Sequence, residues 1–430
     1  MSITKRATFL RGVHVPDNKY LTNTKPIEVM PAPKLVFISM SQHIGKPSSV
    51  VVNVGDRVKK GQLIGEEVGF ISASVYASVS GTVKEIKSIK TSLNTATYVV
   101  IENDGLEEEE FLPPIDKNDR QSILDRIRIA GMVGLGGAGF PTYVKMATEE
   151  KIDVILINGA ECEPYLTCDH RMMVERPEGV VLGAKYIGKA LNCDNIVIGI
   201  EENKPDAIKA ISQIEGVTVV PLKKKYPQGS EKQLIYACTK RKVAPGKLPA
   251  SQGVCVFNVQ TAYQSYEAIE KNKPLYERVM TVSGKGIENP KNILVRNGTP
   301  YQDILEYCGG LKDDAVKLIA GGPMMGKILP SPQGYAKKTD SGLLVLDKTE
   351  VCLEEPSPCI NCGRCAKACP MHLMPMYIDL FTKTGNYERA NSYGAMNCFE
   401  CGTCSYVCPA KRDLVGSIQY CKRKLRETRS

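Results

Sequence analysis

The sequence predicts a multidomain chain of α/β and α+β modules, and three observations carry that prediction. Glycine-punctuated, β-rich runs fill residues 50–86, and strand and helix signals alternate through the middle of the chain. A four-cysteine pattern then occurs twice near the end, at residues 359–370 and 398–409. The 430 residues suffice for several separate cores, and they divide as 1–103, 117–272, 273–350 and 351–430.

In the first module, V-G-D-x-V-x-x-G-Q-x-I from Val54 to Ile64 resembles the barrel-sandwich hammerhead of biotinyl and lipoyl carrier domains. Those carriers present a lysine on the hairpin between their two halves. Here no lysine lies between Lys60 and Lys84, and Gly69 and Phe70 occupy that region. The expectation is a docking or structural module without carrier chemistry. The acidic run Glu107 to Glu110, inside the charged linker 102–120, reads as a solvated hinge.

The second module holds a glycine loop. Gly134, Gly136 and Gly139 match G-x-G-x-x-G, and Glu161 follows after the apolar run Val154 to Asn158, which reads as a buried strand. A dinucleotide fingerprint of that kind requires a strand before the loop. Ser122 followed by Asp125 resembles a helix start, whereas Arg126 to Ile129 alternates like a strand, so periodicity leaves the point open. The glycines allow backbone N–H groups to approach a phosphate, Pro141 suits the start of a helix, and Lys145 adds a positive charge. A tight turn is the plainer alternative for the glycines alone. Residues 275–347 return to shorter strands and turns.

At the end of the chain, Cys359, Cys362, Cys365 and Cys369 read C-x2-C-x2-C-x3-C-P, and Cys398, Cys401, Cys404 and Cys408 repeat it. Thiolates so spaced hold the corners of 4Fe-4S clusters, and in two-cluster modules the fourth cysteine of each run serves the other cluster. One cluster is therefore expected on Cys359, Cys362, Cys365 and Cys408, and the other on Cys398, Cys401, Cys404 and Cys369. Zinc sites favour separated pairs and fit this pattern poorly. Leu373, Met376, Tyr377, Leu380 and Phe381 recur at helical spacing and read as packing between the runs. The other eight cysteines are scattered, which argues for a reducing compartment rather than a disulfide framework. The four histidines form no ligand pattern, and His372 reads as a surface or supporting residue.

Composition excludes several classes. The start shows no apolar core of a leader, and no window approaches a membrane span. The net charge of +9 is modest, the basic tail reads as solvated, and no nucleic-acid partner is expected.

Four segments in one order carry a resemblance. G-L-G-G-A-G-F-P-T-x-x-K (Gly134 to Lys145), N-G-A-E-C-E-P (Asn158 to Pro164), Y-P-Q-G-S-E (Tyr226 to Glu231) and V-F-N-V-Q-T (Val256 to Thr261) resemble the flavin-binding subunit of respiratory complex I. With the hammerhead ahead and the cysteine runs behind, nearly the whole chain resembles the C subunit of Rnf ion-translocating electron transport complexes. The resemblance implies FMN on Gly134, Gly136, Gly137, Ala138, Gly139, Lys145, Asn158, Glu161 and Cys162. Tyr226, Gly229, Glu231, Asn258 and Thr261 close that pocket, although loop capping is the plain reading of Asn258 and Thr261. It places Glu163 and Phe140 beside the nicotinamide of NAD(H) as the catalytic pair, and it makes 273–350 a ligand-binding β-grasp domain. Leu135, Ala160 and Ser230 depart from the complex I pattern, where an arginine and two acids stand. The implied role is a peripheral oxidoreductase subunit on the cytoplasmic side of the cell membrane. It exchanges electrons between NAD(H) and, through Rnf-type membrane and iron–sulfur subunits, ferredoxin, while other subunits move Na+ or H+. Two other readings stay open: a soluble reductase resembling cobalamin reductase or a proline-reductase electron feeder, and a non-catalytic electron wire.

Overall fold

The computed structural model describes residues 6–90, 95–352 and 354–428. The first five residues of the chain start and the last two of the basic tail lie outside them. Among the described residues no helix is long and apolar enough to cross a membrane.

The N-terminal module is a pair of small antiparallel sheets. Arg57–Val58, Gly81–Lys90, Thr95–Asn103 and Leu35–Ser39 make one; Ser49–Val50, Leu63–Glu66 and Val75–Tyr76 make the other. Alternate residues point inward, so Val36, Ile38, Val99 and Ile101 are fully buried in a shared core with Val58 and Ile64. Residues 6–29 pair elsewhere. Ala7 bridges Leu222, Val13 bridges Tyr226, and Ile27–Val29 pairs in parallel with Lys291–Arg296. This segment straps the later modules together.

The linker differs from the hinge expected of it. Glu107 meets Arg296 at 2.6 Å and Lys60 at 2.9 Å, and Glu108 meets Arg57 at 2.8 Å. The Tyr276 hydroxyl donates to Glu109. These cations come from far along the sequence, so the acidic run is a clamp between the first and third modules.

The central module is a four-stranded parallel sheet in the order Thr218–Leu222, Ile196–Glu201, Val154–Gly159, Val254–Asn258. Its two faces take alternate residues of the same strands. Ile155, Ile157, Ile198 and Phe257 pack under the helices Pro177–Ala190 and Val259–Glu270. Val154, Leu156 and Val256 pack under Glu231–Thr239. The element before the glycine loop is a helix, Arg120–Ile129, whose N-cap Asp119 accepts from the Ser122 N–H. The loop is therefore not a dinucleotide-binding strand-to-helix turn, despite its matching glycines.

The third module is a six-stranded mixed sheet running from Ile27–Val29 through Lys291–Arg296, Glu277–Ser283, Gly342–Asp347 and Ala315–Ala320 to Lys327–Leu329, with the helix Tyr301–Tyr307. The C-terminal module is built from short helices around the cysteines, closed by Leu414–Glu427. Its helix Pro375–Lys383 presents Ile378 and Thr382 to the core, while Leu380 is exposed and Tyr377 and Phe381 pack against Tyr393. Of the expected stripe, Leu373, Met376 and Phe381 pack in the core with the cysteines, while Tyr377 and Leu380 are the exposed members.

Candidate flavin site and cysteine centres

The strand order places the site. The chain adds three strands in one direction and then returns to the other side of Val154–Gly159, so a crevice opens at the carboxyl ends of Val154–Gly159 and Val254–Asn258. Asn158 and Asn258 are register partners there. All four segments singled out in the sequence meet at that point.

The glycine loop lies over Asn258: a Cβ at Gly136 would sit 3.5 Å from the Asn258 Cβ. Thr261 holds the loop, its hydroxyl accepting from the Leu135 N–H at 3.0 Å. Gly134 N–H and Gly139 N–H are used within the loop. The N–H groups of Gly136, Gly137 and Ala138 have no protein acceptor among the described residues, and these three residues are exposed. Gly137 has φ +100° with open space where a side chain would be, and Gly139 has φ +65° with Thr339 close against it. The result is a row of three exposed free donors. The helix that follows, Thr142–Met146, is short, and Pro141 precedes its first residue. Lys145 meets Glu231 at 2.5 Å and lies 5.5 Å from the Phe257 ring.

On the other strand end, the Asn158 amide donates to the Gly229 carbonyl at 2.8 Å, and Gly229 N–H donates to the Cys162 Sγ at 3.2 Å. Asn258 caps the helix Val259–Glu270 and donates to Asp169 at 2.6 Å. Asn258 and Thr261 therefore have the capping and tethering work that their types suggest.

The acids of the 158–164 loop turn away from the glycine loop. Glu161, at φ +44°, accepts from the N–H groups of Asp169 and His170 at the start of Cys168–Glu175. Glu163 accepts from the Met324 N–H at 3.1 Å, and its second oxygen is buried without a partner. Burial raises both carboxyls to about 7. Phe140 is half-buried beside the loop.

Several contributors carried no signal in the sequence. Buried Lys204 donates to the Ala160 carbonyl at 2.7 Å, and buried Lys19 donates to the Glu163 carbonyl at 2.9 Å. Both fix the backbone of the acidic loop from beneath. Arg278, fully buried, donates to the Leu135 carbonyl at 3.4 Å and to the Lys338 carbonyl at 2.8 Å, which sets a positive charge behind the glycine loop. No spacing rule links these residues to the motifs: Lys19 and Arg278 come from other modules, and Lys204 follows the neighbouring strand Ile196–Glu201.

The cysteines fall into two groups. Cys359, Cys362, Cys365 and Cys408 line one small cavity with Met376. Cys369 stands instead with Cys398, Cys401 and Cys404, close enough to raise the thiols of all three. Burial is the larger cause and pushes the Cys398 thiol up to about 11. Cys359 and Cys362 are exposed, whereas Cys369, Cys401 and Cys404 are buried. The buried group faces the central module. Tyr226, fully buried, donates its hydroxyl to the Cys401 carbonyl at 2.7 Å. Cys162, Tyr226, Met324 and Cys401 share one apolar cluster. Met324 belongs to a loop of the third module and leaves no room for a side chain at Gly402, where a Cβ would lie 2.5 Å from its carbonyl oxygen.

Comparison with known proteins agrees with this layout module by module. Residues 7–106 match the RnfC barrel sandwich hybrid domain, 127–267 the Nuo51 FMN-binding domain, 279–327 the SLBB domain and 358–411 the 4Fe-4S dicluster domain. The C subunit of the proton-translocating ferredoxin:NAD(+) oxidoreductase complex of Clostridium ljungdahlii is 46% identical, with 97% of this chain and 94% of that protein covered. The chain belongs to the family of Rnf C subunits. Its counterpart in the Na(+)-translocating ferredoxin:NAD(+) oxidoreductase complex of Acetobacterium woodii is 43% identical, with 98% of each chain covered. An NAD+-reducing [NiFe]-hydrogenase structure shares the fold at a TM-score of 0.53 and 17% identity, covering 70% of this chain and 63% of that one. Membership of the Rnf family disfavours the reading as a soluble cobalamin or proline-reductase relative. The chain is a multidomain member carrying an FMN-binding domain and a 4Fe-4S dicluster domain.

Proposed function

We propose that this chain is the member of an Rnf-type complex that exchanges electrons with NAD(H), through FMN and two 4Fe-4S clusters, on the way to or from ferredoxin. The observation that carries this reading is convergence: four distant segments meet at the topological switch point, and one cysteine group faces them across Tyr226 and Met324. The exposed row Gly136 to Ala138 fits a phosphate, with Lys145 and the buried Arg278 charge on its flanks.

FMN held there would supply two-electron hydride chemistry alongside one-electron exchange with iron–sulfur clusters. The residues supply the rest. Gly136, Gly137 and Ala138 orient the phosphate, and Asn158 with Gly229 and Cys162 forms the floor for the ring. Lys19 and Lys204 keep the acidic loop in place beneath it. Glu163 and Phe140 are the proposed nicotinamide neighbours. The Glu163 carboxylate accepts from the Met324 amide and its second oxygen is buried without a partner, so that oxygen is the one left for a nicotinamide carboxamide once the loop admits it. Cys369, Cys398, Cys401 and Cys404 would hold the inner cluster, and Cys359, Cys362, Cys365 and Cys408 the outer one. Domain limits at 1–103, 117–272, 273–350 and 351–430 accompany this assignment. The place of work is the cytoplasmic face of the membrane, with ion movement left to membrane-spanning partners.

The test is made on anaerobically purified chain. About one FMN and about eight irons, both bleached by NADH, support the reading. About eight irons without flavin, and no response to NADH, reject it in favour of an electron wire.

A further inference from the structure

One residue of the third module touches both halves of the site. The strands Ala315–Ala320 and Lys327–Leu329 are joined by Gly-Gly-Pro-Met-Met-Gly, residues 321–326. Gly326 N–H donates to the Gly322 carbonyl at 2.9 Å, and Gly321 N–H donates to the Gly342 carbonyl at 2.7 Å. The loop is thus a closed turn, and its inner side lies flush on Glu163. The Met324 N–H donates to that carboxylate at 3.1 Å, and a Cβ at Gly322 would lie 2.3 Å from the same oxygen. The Met324 carbonyl packs instead against Gly402, where a Cβ would lie 2.5 Å from it. Gly402, at φ +79°, stands between Cys401 and Cys404 and precedes the helix Thr403–Tyr406. Tyr226 holds the peptide just before it through the Cys401 carbonyl. The Cys401–Gly402 peptide is therefore fixed from two modules at once, and Met324 is the third module's hold on it.

Three observations separate this loop from plain interface packing. The second Glu163 oxygen is buried with no donor, an unfavourable state that an N–H group of a ligand would relieve. Gly322 leaves no space for a ligand group between the loop and the carboxylate. The outer side of the loop is open, with Met325 54% exposed and Ile328 66% exposed on the three-residue strand that ends the sheet. A loop so placed lifts without opening a core.

We propose that residues 321–326 form a lid over Glu163 and that Met324 is a positioning residue. The lid lifts when the carboxamide of NAD(H) donates to the unpartnered Glu163 oxygen, and Met324 carries the displacement to the Cys401–Gly402 peptide. The inference rests on the nicotinamide role given to Glu163 above. It ties the setting of the inner cysteine group to occupancy of the nicotinamide site, across a module boundary.

The test uses the chain loaded with FMN and iron and fully reduced with dithionite, so that added NADH changes occupancy and delivers no electrons. Equilibrium dialysis measures NADH retention, mass spectrometry follows backbone hydrogen exchange in 321–326, and paramagnetic resonance gives the line positions of the inner cluster. The inner lines are those lost in Cys404→Ala. The proposal expects NADH to speed exchange in 321–326 about tenfold, within the usual range of coupling between two sites. It expects the inner lines to shift while the outer ones stay. Gly322→Ala, whose Cβ displaces the Glu163 carboxylate, is expected to exchange fast without NADH and to show inner lines that NADH no longer moves. Retained NADH with unchanged exchange in the unsubstituted chain overturns the lid. Faster exchange with unmoved inner lines overturns the role of Met324. If no NADH is retained, the nicotinamide reading itself fails and the lid falls with it, a result distinct from the other two.

Discussion

The two cysteine runs have one spacing and two surroundings. Cys359 and Cys362 stand at the surface with exposed Ile360 between them, while Cys369, Cys401 and Cys404 are buried against the central module. The difference teaches that the motif sets which metal is held, and the neighbouring modules set what each cluster exchanges with. The inner group meets Tyr226, Met324 and Cys162; the outer group has Cys359 and Cys362 exposed. A cluster's potential and its exchange partners follow burial and hydrogen bonding.

The sharpest way to break the comparison is to remove an inner ligand. Cys404→Ala is expected to cost about four of the roughly eight irons and to abolish NADH-driven reduction of the outer cluster, leaving FMN content intact. Iron analysis with electron paramagnetic resonance checks this. Outer reduction by NADH in that variant would show that electrons bypass the inner group.

A second effect separates the two groups by pH. Burial lifts Glu163, beside the inner group, from 4.5 to about 7. The folded chain therefore holds a proton that the unfolded chain releases above 4.5. The stabilising contribution is full below that value and is lost as pH rises through about 7, an amount on the order of 3 kcal/mol. Glu161 is raised likewise, so Glu163→Gln should remove about half of the slope that the two acids give in urea unfolding between about pH 4.5 and 8. Among the described residues no acid lines the cavity of the outer group, so substitutions there should leave the slope in place.

Smaller effects sharpen the picture. Tyr226→Phe removes the donor to the Cys401 carbonyl and should destabilise the junction by about 1–2 kcal/mol, with slower reduction of the inner cluster in stopped-flow mixing. Thr261→Val leaves the Leu135 N–H without its acceptor and should weaken FMN binding several-fold, about 1 kcal/mol, measured by flavin fluorescence. A Thr261→Ser variant keeps the hydroxyl and should restore it.

Much of this architecture is legible from residues that are close in sequence. The two cysteine runs, the apolar strand Val154 to Asn158 and the glycine loop are all local patterns. The crossover of Cys369 and Cys408 follows from a general property of such runs. What the sequence does not show depends on distance. The acidic run 107–110 is clamped by Arg296, Lys60 and Arg57, and the chain before Leu35 straps modules far downstream. Arg126 to Ile129 alternates like a strand, yet Asp119 caps a helix there and Ile123 and Ile127 bury at helical spacing. The matching glycines suggest a dinucleotide turn, and only the preceding helix removes that reading.

With Cys401 against Tyr226 and Met324, electrons from NADH are proposed to meet the inner cluster before the outer one. The direct measurement is on Cys359→Ser, anaerobically mixed with NADH and frozen for paramagnetic resonance. The account predicts that the inner cluster is still reduced, with about four irons kept and the flavin bleached at its usual rate. A reduced flavin beside an inner cluster that stays oxidised would contradict it.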